Sequence, residues 1–221
     1  MRIIALSDLH GQGKYFNYLR EDLEQADLLT IAGDLSKDGQ QESVAQILKE
    51  IQLYYNNTIV AVHGNWDKNE VLVFLKNKGF SLHAEGRIIH GLGFFGVGGS
   101  NLTPMKTFTE YSEEEISFFL ETGFRAVKSA SKKILITHVP PKKTKDKTFL
   151  GIRGGSQVVR NFIEKNKIDL CLCGHIHEAW GLDLLGETKI VNSGSFKKGR
   201  YAVIEINDSV EVKFKRLRKV F

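Results

Sequence analysis

Arg2-Ile3-Ile4-Ala5-Leu6-Ser7 runs into Asp8 and His10, and the same design recurs four times further along the chain. Leu28-Leu29-Thr30-Ile31-Ala32-Gly33 runs into Asp34. Thr58 to Gly64 runs into Asn65, Ile134 to Thr137 into His138, and Leu170 to Gly174 into His175 and His177. Short, continuous apolar runs of this kind read as buried parallel strands. In open α/β sheets, ligands sit outside the carboxyl ends of the strands. Five strand tips therefore deliver two carboxylates, four imidazoles and one carboxamide to one rim. Imidazole and carboxylate are the usual ligands of divalent transition metals. Seven such groups exceed the need of one ion and suit two ions that share a carboxylate.

Outward from these tips, the first half alternates strand and helix. Helical faces are expected over Lys14–Glu24, Glu42–Tyr55 and Lys68–Lys78, with Gly79 as the last helix's cap. Two short strands over Arg87–Val97 flank Gly91-Leu92-Gly93 and suggest a hairpin. Tyr111–Lys128 reads as a helix opened by a Ser112/Glu115 capping box, and Gln157–Lys165 as another helix. From Gly181 the chain is rich in strands. β-α units that give way to hairpins predict an α/β fold with two mixed sheets covered by helices. No internal repeat or linker interrupts it, so residues 1–221 are expected to form one domain.

Composition narrows the classes. The fractions of apolar and charged residues are those of an ordinary globular protein. No apolar stretch approaches the ~18 residues of a membrane span, and Met1 leads directly into a strand, so no signal peptide is expected. A cytoplasmic protein with no membrane partner is expected. Cys171 and Cys173 lie two apart on one strand, face the same way and read as core thiols. Lys plus Arg exceeds Asp plus Glu by five, which favours anionic substrates. Basic residues cluster at Lys142-Lys143-Thr144-Lys145-Asp146-Lys147, in a long loop after His138, and again over Lys213–Lys219.

As motifs, the tips are Asp8-Leu9-His10, Gly33-Asp34, Gly64-Asn65-Trp66-Asp67, Thr137-His138 and Gly174-His175-Ile176-His177. This ordered set resembles the calcineurin-like metallophosphoesterase superfamily, over residues 3 to about 195. Gly98-Gly99-Ser100, His138-Val139-Pro140-Pro141 and Asn192-Ser193-Gly194-Ser195 are similar to its small single-domain prokaryotic, especially archaeal, branch. The resemblance implies a four-layer α-β-β-α sandwich. It also implies a binuclear centre, with Asp8, His10, Asp34 and His177 on a first ion and Asp34, Asn65, His138 and His175 on a second. The mixed nitrogen and oxygen set suits Mn²⁺ or Fe²⁺, with Zn²⁺, Ni²⁺ and Co²⁺ as alternatives. The extended D-x-H and H-x-H segments are expected to point both side chains one way by the pleat. The glycines before Asp34, Asn65 and His175 are expected to permit sharp turns.

The implied reaction is hydrolysis of a phosphoric ester, foremost a phosphodiester, by a hydroxide bridging the ions. Asn65, His138 and His63 are the candidate catalytic residues. His63 would lean toward the rim as a phosphate contact, whereas His83 and His90 are expected at the surface or at strand ends. Trp66, Lys142 and Lys143 are the candidate substrate contacts, and a small phosphoester or nucleotide is the expected substrate. Trp66 occupies the position where many members carry a histidine that serves the leaving group. Lys37 stands where one branch carries a supporting acid. An indole N–H is far too weakly acidic for that role. Two other readings stay open here: a nuclease acting on DNA or RNA, and a non-catalytic interaction protein, as in the retromer subunit that shares this fold.

Overall fold

The computed structural model describes residues 1–217. In chain order the elements begin with β1 (Arg2–Leu6), a 3-10 segment (Gly13–Leu19), α1 (Arg20–Glu24), β2 (Leu28–Ala32), α2 (Gln41–Gln52), β3 (Thr58–Val62) and α3 (Asn69–Asn77). The hairpin β4 (Gly86–Ile89) and β5 (Leu92–Val97) follows, then the two-residue strands β6 (Ser100–Asn101) and β7 (Glu110–Tyr111) and helix α4 (Glu113–Val127). The chain continues through β8 (Lys133–Thr137), α5 (Gln157–Lys165), β9 (Leu170–Cys173), β10 (Gly181–Leu185), β11 (Thr188–Asn192), β12 (Arg200–Ile206) and β13 (Val210–Arg216).

Two mixed sheets result, ordered β13-β12-β1-β2-β3 and β10-β11-β9-β8-β5-β4. Strands β1, β2 and β3 run parallel, as do β5, β8, β9 and β11. The period of two sorts the side chains. On β1, Ile3 and Ala5 enter the layer between the sheets, while Ile4 and Leu6 face α2 and α3. On β9, Leu170 and Leu172 take the inter-sheet layer, while Cys171 and Cys173 pack under α4 and α5. Val44, Ile47, Leu48 and Ile51 of α2 form a buried stripe against the first sheet. Ile116, Leu120, Phe124 and Val127 of α4 do the same against the second. The result is the expected α-β-β-α sandwich.

Several local expectations hold. Ser112 and Glu115 form the reciprocal capping box of α4, worth about 1 kcal/mol. Gly79, at φ +71°, ends α3. The β4–β5 turn falls on His90 and Gly91, both with positive φ, the type I′ geometry that suits a tight hairpin.

The Lys14–Glu24 helix is mostly 3-10 instead. Gln12 gives it no side-chain cap, and Tyr15 and Phe16 pack edge-on and tilted against Phe196. Tertiary packing there overrides the 3.6 period. Of the basic C-terminal cluster, Lys215 pairs with Asp22 at 2.8 Å, while Arg218 and Lys219 lie outside the described residues.

Candidate metal centre

The parallel strands of both sheets end on one edge. Asp8 follows β1, Asp34 follows β2, Asn65 follows β3, His138 follows β8 and His175 follows β9. Backbone hydrogen bonds lock these tips together. Asp8 N–H donates to the Gly33 carbonyl, His10 N–H to Asp34 and Gly174 N–H to His138. Between the sheets, His138 Nδ1 lies 2.7 Å from the Ala32 carbonyl.

All seven expected ligands converge. Asp8, His10 and His177 offer ligand atoms within 4.8 Å of one another, and so do Asp8, Asp34 and His138. His177 Nε2 lies 3.1 Å from Asp8 Oδ1 and 3.5 Å from His10 Nε2. Asn65 Oδ1 lies 2.9 Å from both His138 Nε2 and His175 Nδ1. Asp34 stands between the two groups: Oδ2 is 3.7 Å from His10 Nε2, and Oδ1 is 3.5 Å from His138 Nε2. Ligand atoms about 2.1 Å from one ion and at right angles about it would lie roughly 3 Å apart.

These residues fit a cation. A carbonyl only accepts, so Ala32 fixes the proton of a neutral His138 ring on Nδ1. The lone pair on Nε2 then faces Asn65 Oδ1, acceptor against acceptor, which a positive ion between them reconciles. Asp8 Oδ2 is buried with no hydrogen-bond partner among the described residues. Burial pushes Asp34 well above the usual carboxylate range; a charge on the His138 ring would oppose this, while Asp67 and Asp8 reinforce it. Burial also lowers His10 to about 4 and His175 to about 3, which keeps both rings in the neutral, ligating form. His177 is drawn the other way: burial lowers it, but the hydrogen bond and charge of Asp8 prevail and raise it.

The backbone achieves this by an unexpected route. Asp8, His10, Asp34 and His175 have φ of 52°, 44°, 51° and 65°. The D-x-H segment is therefore not extended, and a pleat does not orient it. His177 opens a 3-10 turn rather than continuing a strand. Left-handed residues of this kind are uncommon outside glycine and gather at functional sites. Gly33, at φ +88°, does make a turn. Gly64 and Gly174 serve close approach instead: a methyl at 64 would overlap Asp34, and one at 174 would sit 2.7 Å from Asp8 Oδ2.

The calcineurin-like phosphoesterase family model matches residues 1–179. The chain belongs to that family. Among relatives of this phosphoesterase, the uncharacterized protein MJ1162 of Methanocaldococcus jannaschii is 36% identical over 200 residues, spanning 87% of each chain. The crystal structure of TT1561 of Thermus thermophilus superposes with a TM-score of 0.76 at 20% identity, over 98% of this chain and 99% of that one. A novel archaeal phosphodiesterase gives a TM-score of 0.59 at 16% identity, over 98% and 100%. The two superpositions establish a shared fold. The phosphoesterase is a metal-dependent phosphoric ester hydrolase, and its candidate ligands include Asp8, His10, Asp34 and His138.

Not every candidate of the sequence reaches the rim. His63 is fully buried, with Nε2 at 3.1 Å from the Tyr111 hydroxyl and its ring edge-on to His83. It lies just past the end of β3, enclosed by His83, Tyr111 and Gly98, so it is not placed to touch a phosphate. His83 is buried too, not at the surface, and accepts from the Gly98 N–H at 3.1 Å. His90 is exposed on its turn. Trp66 is 38% exposed and packs against Phe108 with ring centroids 5.1 Å apart. Lys143 is exposed on the loop after His138 and Lys142 is half-buried; the loop is organised by buried Asp146, which accepts from Lys143 N–H and Arg153.

The sequence reading assigned no role to several residues that hold the phosphoesterase site in shape. Asp67 is fully buried and accepts from the N–H groups of Leu35, Ser36 and Gly64 and from the Ser36 hydroxyl. It staples the second tip to the third. Asn192 donates its amide to the Gly174 and Ile176 carbonyls and so shapes the H-x-H turn. Ser7, Ser193 and Ser195 tie β1 to the segment after β11. The third and fifth motifs contained part of this signal, since Asp67 ends one and Gly174 begins the other.

Proposed function

We propose that this phosphoesterase hydrolyses a small phosphodiester with two divalent ions, Mn²⁺ or Fe²⁺ foremost, bridged by Asp34. The observation that carries the reading is the Asp34 carboxylate, whose two oxygens face His10 on one side and His138 on the other. Asp8, His10 and His177 would complete the first position, and Asn65, His138 and His175 the second. Bound there, the ions would supply Lewis acidity toward the phosphoryl oxygens and a water of lowered pKa. The protein's own part is to hold His10 and His175 as neutral imidazoles, fix the His138 tautomer through Ala32 and leave the open side at His10 and His177. Asn65 would meet the phosphate with the Nδ2 hydrogen that Thr107 does not take. Trp66 would meet the substituent on that phosphate, and Lys142 and Lys143 a further negative charge.

A diester is favoured over a monoester because no protonatable side chain occupies position 66. A polymeric nucleic acid is disfavoured because Lys215 of the basic terminal strand is already engaged by Asp22. The two cysteines are free and buried, which suits a cytoplasmic setting. Among the described residues no helix is long and apolar enough to cross a membrane. The deciding experiment strips the protein of metal. It then assays mono-, di- and cyclic phosphoesters against Mn²⁺, Fe²⁺, Zn²⁺, Co²⁺ and Ni²⁺. Diester hydrolysis that returns with two equivalents of ion supports the reading. Preference for monoesters, or full activity with one equivalent, overturns it.

A further inference from the structure

Asn65 is nearly buried, and its carboxamide has two ends of almost equal shape and opposite polarity. Only the oxygen end can serve a cation. The Nδ2 end donates to the Thr107 hydroxyl at 2.8 Å. A hydroxyl has one proton, and Thr107 Oγ1 lies 2.6 Å from Glu110 Oε1. Glu110 also accepts from Thr107 N–H, from Thr103 N–H and from the Thr103 hydroxyl, at 2.7, 3.0 and 2.6 Å. We propose that Thr107 and Glu110 are positioning residues that set the polarity of the Asn65 amide and thereby the ion affinity on the His138–His175 side of the centre. The proposal rests on the two-ion reading above.

An ionised carboxylate only accepts, so Glu110 draws the Thr107 proton to itself. Burial opposes that charge, yet the hydrogen bonds from Thr103 and Thr107 prevail and hold the carboxyl at about 2. The Thr107 lone pairs are then left for Nδ2. Oδ1 consequently faces His138 Nε2 and His175 Nδ1. A flipped amide would set its oxygen against the Thr107 lone pairs and its hydrogens against the ion. The backbone fixes the distance over which this relay works. Thr109 N–H donates to the Asn65 carbonyl at 3.1 Å, and the Thr109 hydroxyl donates to the Asp67 carbonyl at 2.6 Å. The segment between β6 and β7 is thus keyed to the third strand tip although it contributes no ligand itself.

The test is a Mn²⁺ titration of the metal-free full chain, by calorimetry and by counting bound ions with electron paramagnetic resonance. Wild type should bind two ions. Thr107→Val should raise the Kd of one ion by about 10–100-fold, as for other partners of metal ligands, and leave the other unchanged. Thr107→Ser, which restores the hydroxyl, should recover the affinity. Thr103→Val removes one of Glu110's partners without touching Asn65, and should leave both ions bound as in wild type. Circular dichroism on each variant confirms folding. Thr107→Val with two wild-type affinities overturns the proposal. So does equal loss in Thr103→Val, which would show only a loosened loop. Were wild type to take up a single ion, the two-ion reading fails, and the relay fails with it unless Thr107→Val weakens that ion.

Discussion

Trp66 donates its backbone N–H to Asp34 Oδ1 at 2.8 Å, while its indole Nε1 reaches the Lys37 carbonyl at 3.4 Å. The carboxylate between the two ligand groups is therefore steadied by main chain, and the side chain at 66 is free to vary without disturbing it.

That freedom has a kinetic signature. With an indole at 66, the leaving oxygen departs without a side-chain proton, so rates should fall steeply as the leaving group becomes more basic. Aryl diesters should be cleaved far faster than alkyl ones. Trp66→His should flatten the dependence and raise kcat/KM for alkyl esters by up to about 10²-fold. A leaving-group series on both proteins checks this; a shallow slope in wild type would mean that another group supplies the proton.

Asp34→Asn should reduce metal content at both positions and lower activity by more than the ~10–100-fold typical of residues that merely support a ligand. Metal analysis on the purified variant decides it. Loss of a single equivalent would leave Asp34 on one ion alone.

Gly64→Ala should be equally damaging by another route. The added methyl would overlap Asp34 Oδ1 and N, so the second and third tips must part. Overpacking of this kind destabilises by about 1–3 kcal/mol. Resistance to chemical denaturation and ion uptake should fall together; an unchanged ion affinity would show that the tips can yield.

Lys142→Ala combined with Lys143→Ala should raise KM for a diester bearing an extra phosphate by about two- to fivefold per charge, the range of exposed ion pairs. A singly charged diester should be unaffected. Equal effects on both substrates would return this loop to ordinary surface.

Acid should destabilise the metal-free protein through His63 and His83. Burial lowers both rings, His83 from 6.5 to about 4. The unfolded chain then takes up protons first as pH falls. Stability present above pH 6.5 is thus lost progressively down to about pH 4, by about 3 kcal/mol for His83 alone. Urea unfolding at pH 7.5 and 4.5 measures it. His83→Gln should lose less than wild type over that interval; an equal loss would absolve the ring.

The strand tips were legible in the sequence because apolar runs and ligand-type residues are both local signals. The layer assignment followed from a period of two, seen directly in Cys171 and Cys173. What stayed hidden arises only after folding. Thr107 and Glu110 sit in a polar stretch with no periodicity, and nothing local marks them as partners of Asn65, 42 residues away for Thr107. His63 and His83 looked like rim or surface groups because their burial depends on Tyr111 and Phe119, from a distant segment. The D-x-H segment failed as a pleat because φ at Asp8 and His10 is set by pairing with the neighbouring tip, through bonds to the Gly33 and Asp34 carbonyls.

The left-handed backbone at Asp8, His10, Asp34 and His175 carries an evolutionary consequence. A non-glycine residue in that conformation is disfavoured by about 1–2 kcal/mol. A library selected only for resistance to heat should therefore enrich glycine or asparagine at these four positions. A library that must also turn over substrate should hold them fixed and gain its heat resistance elsewhere.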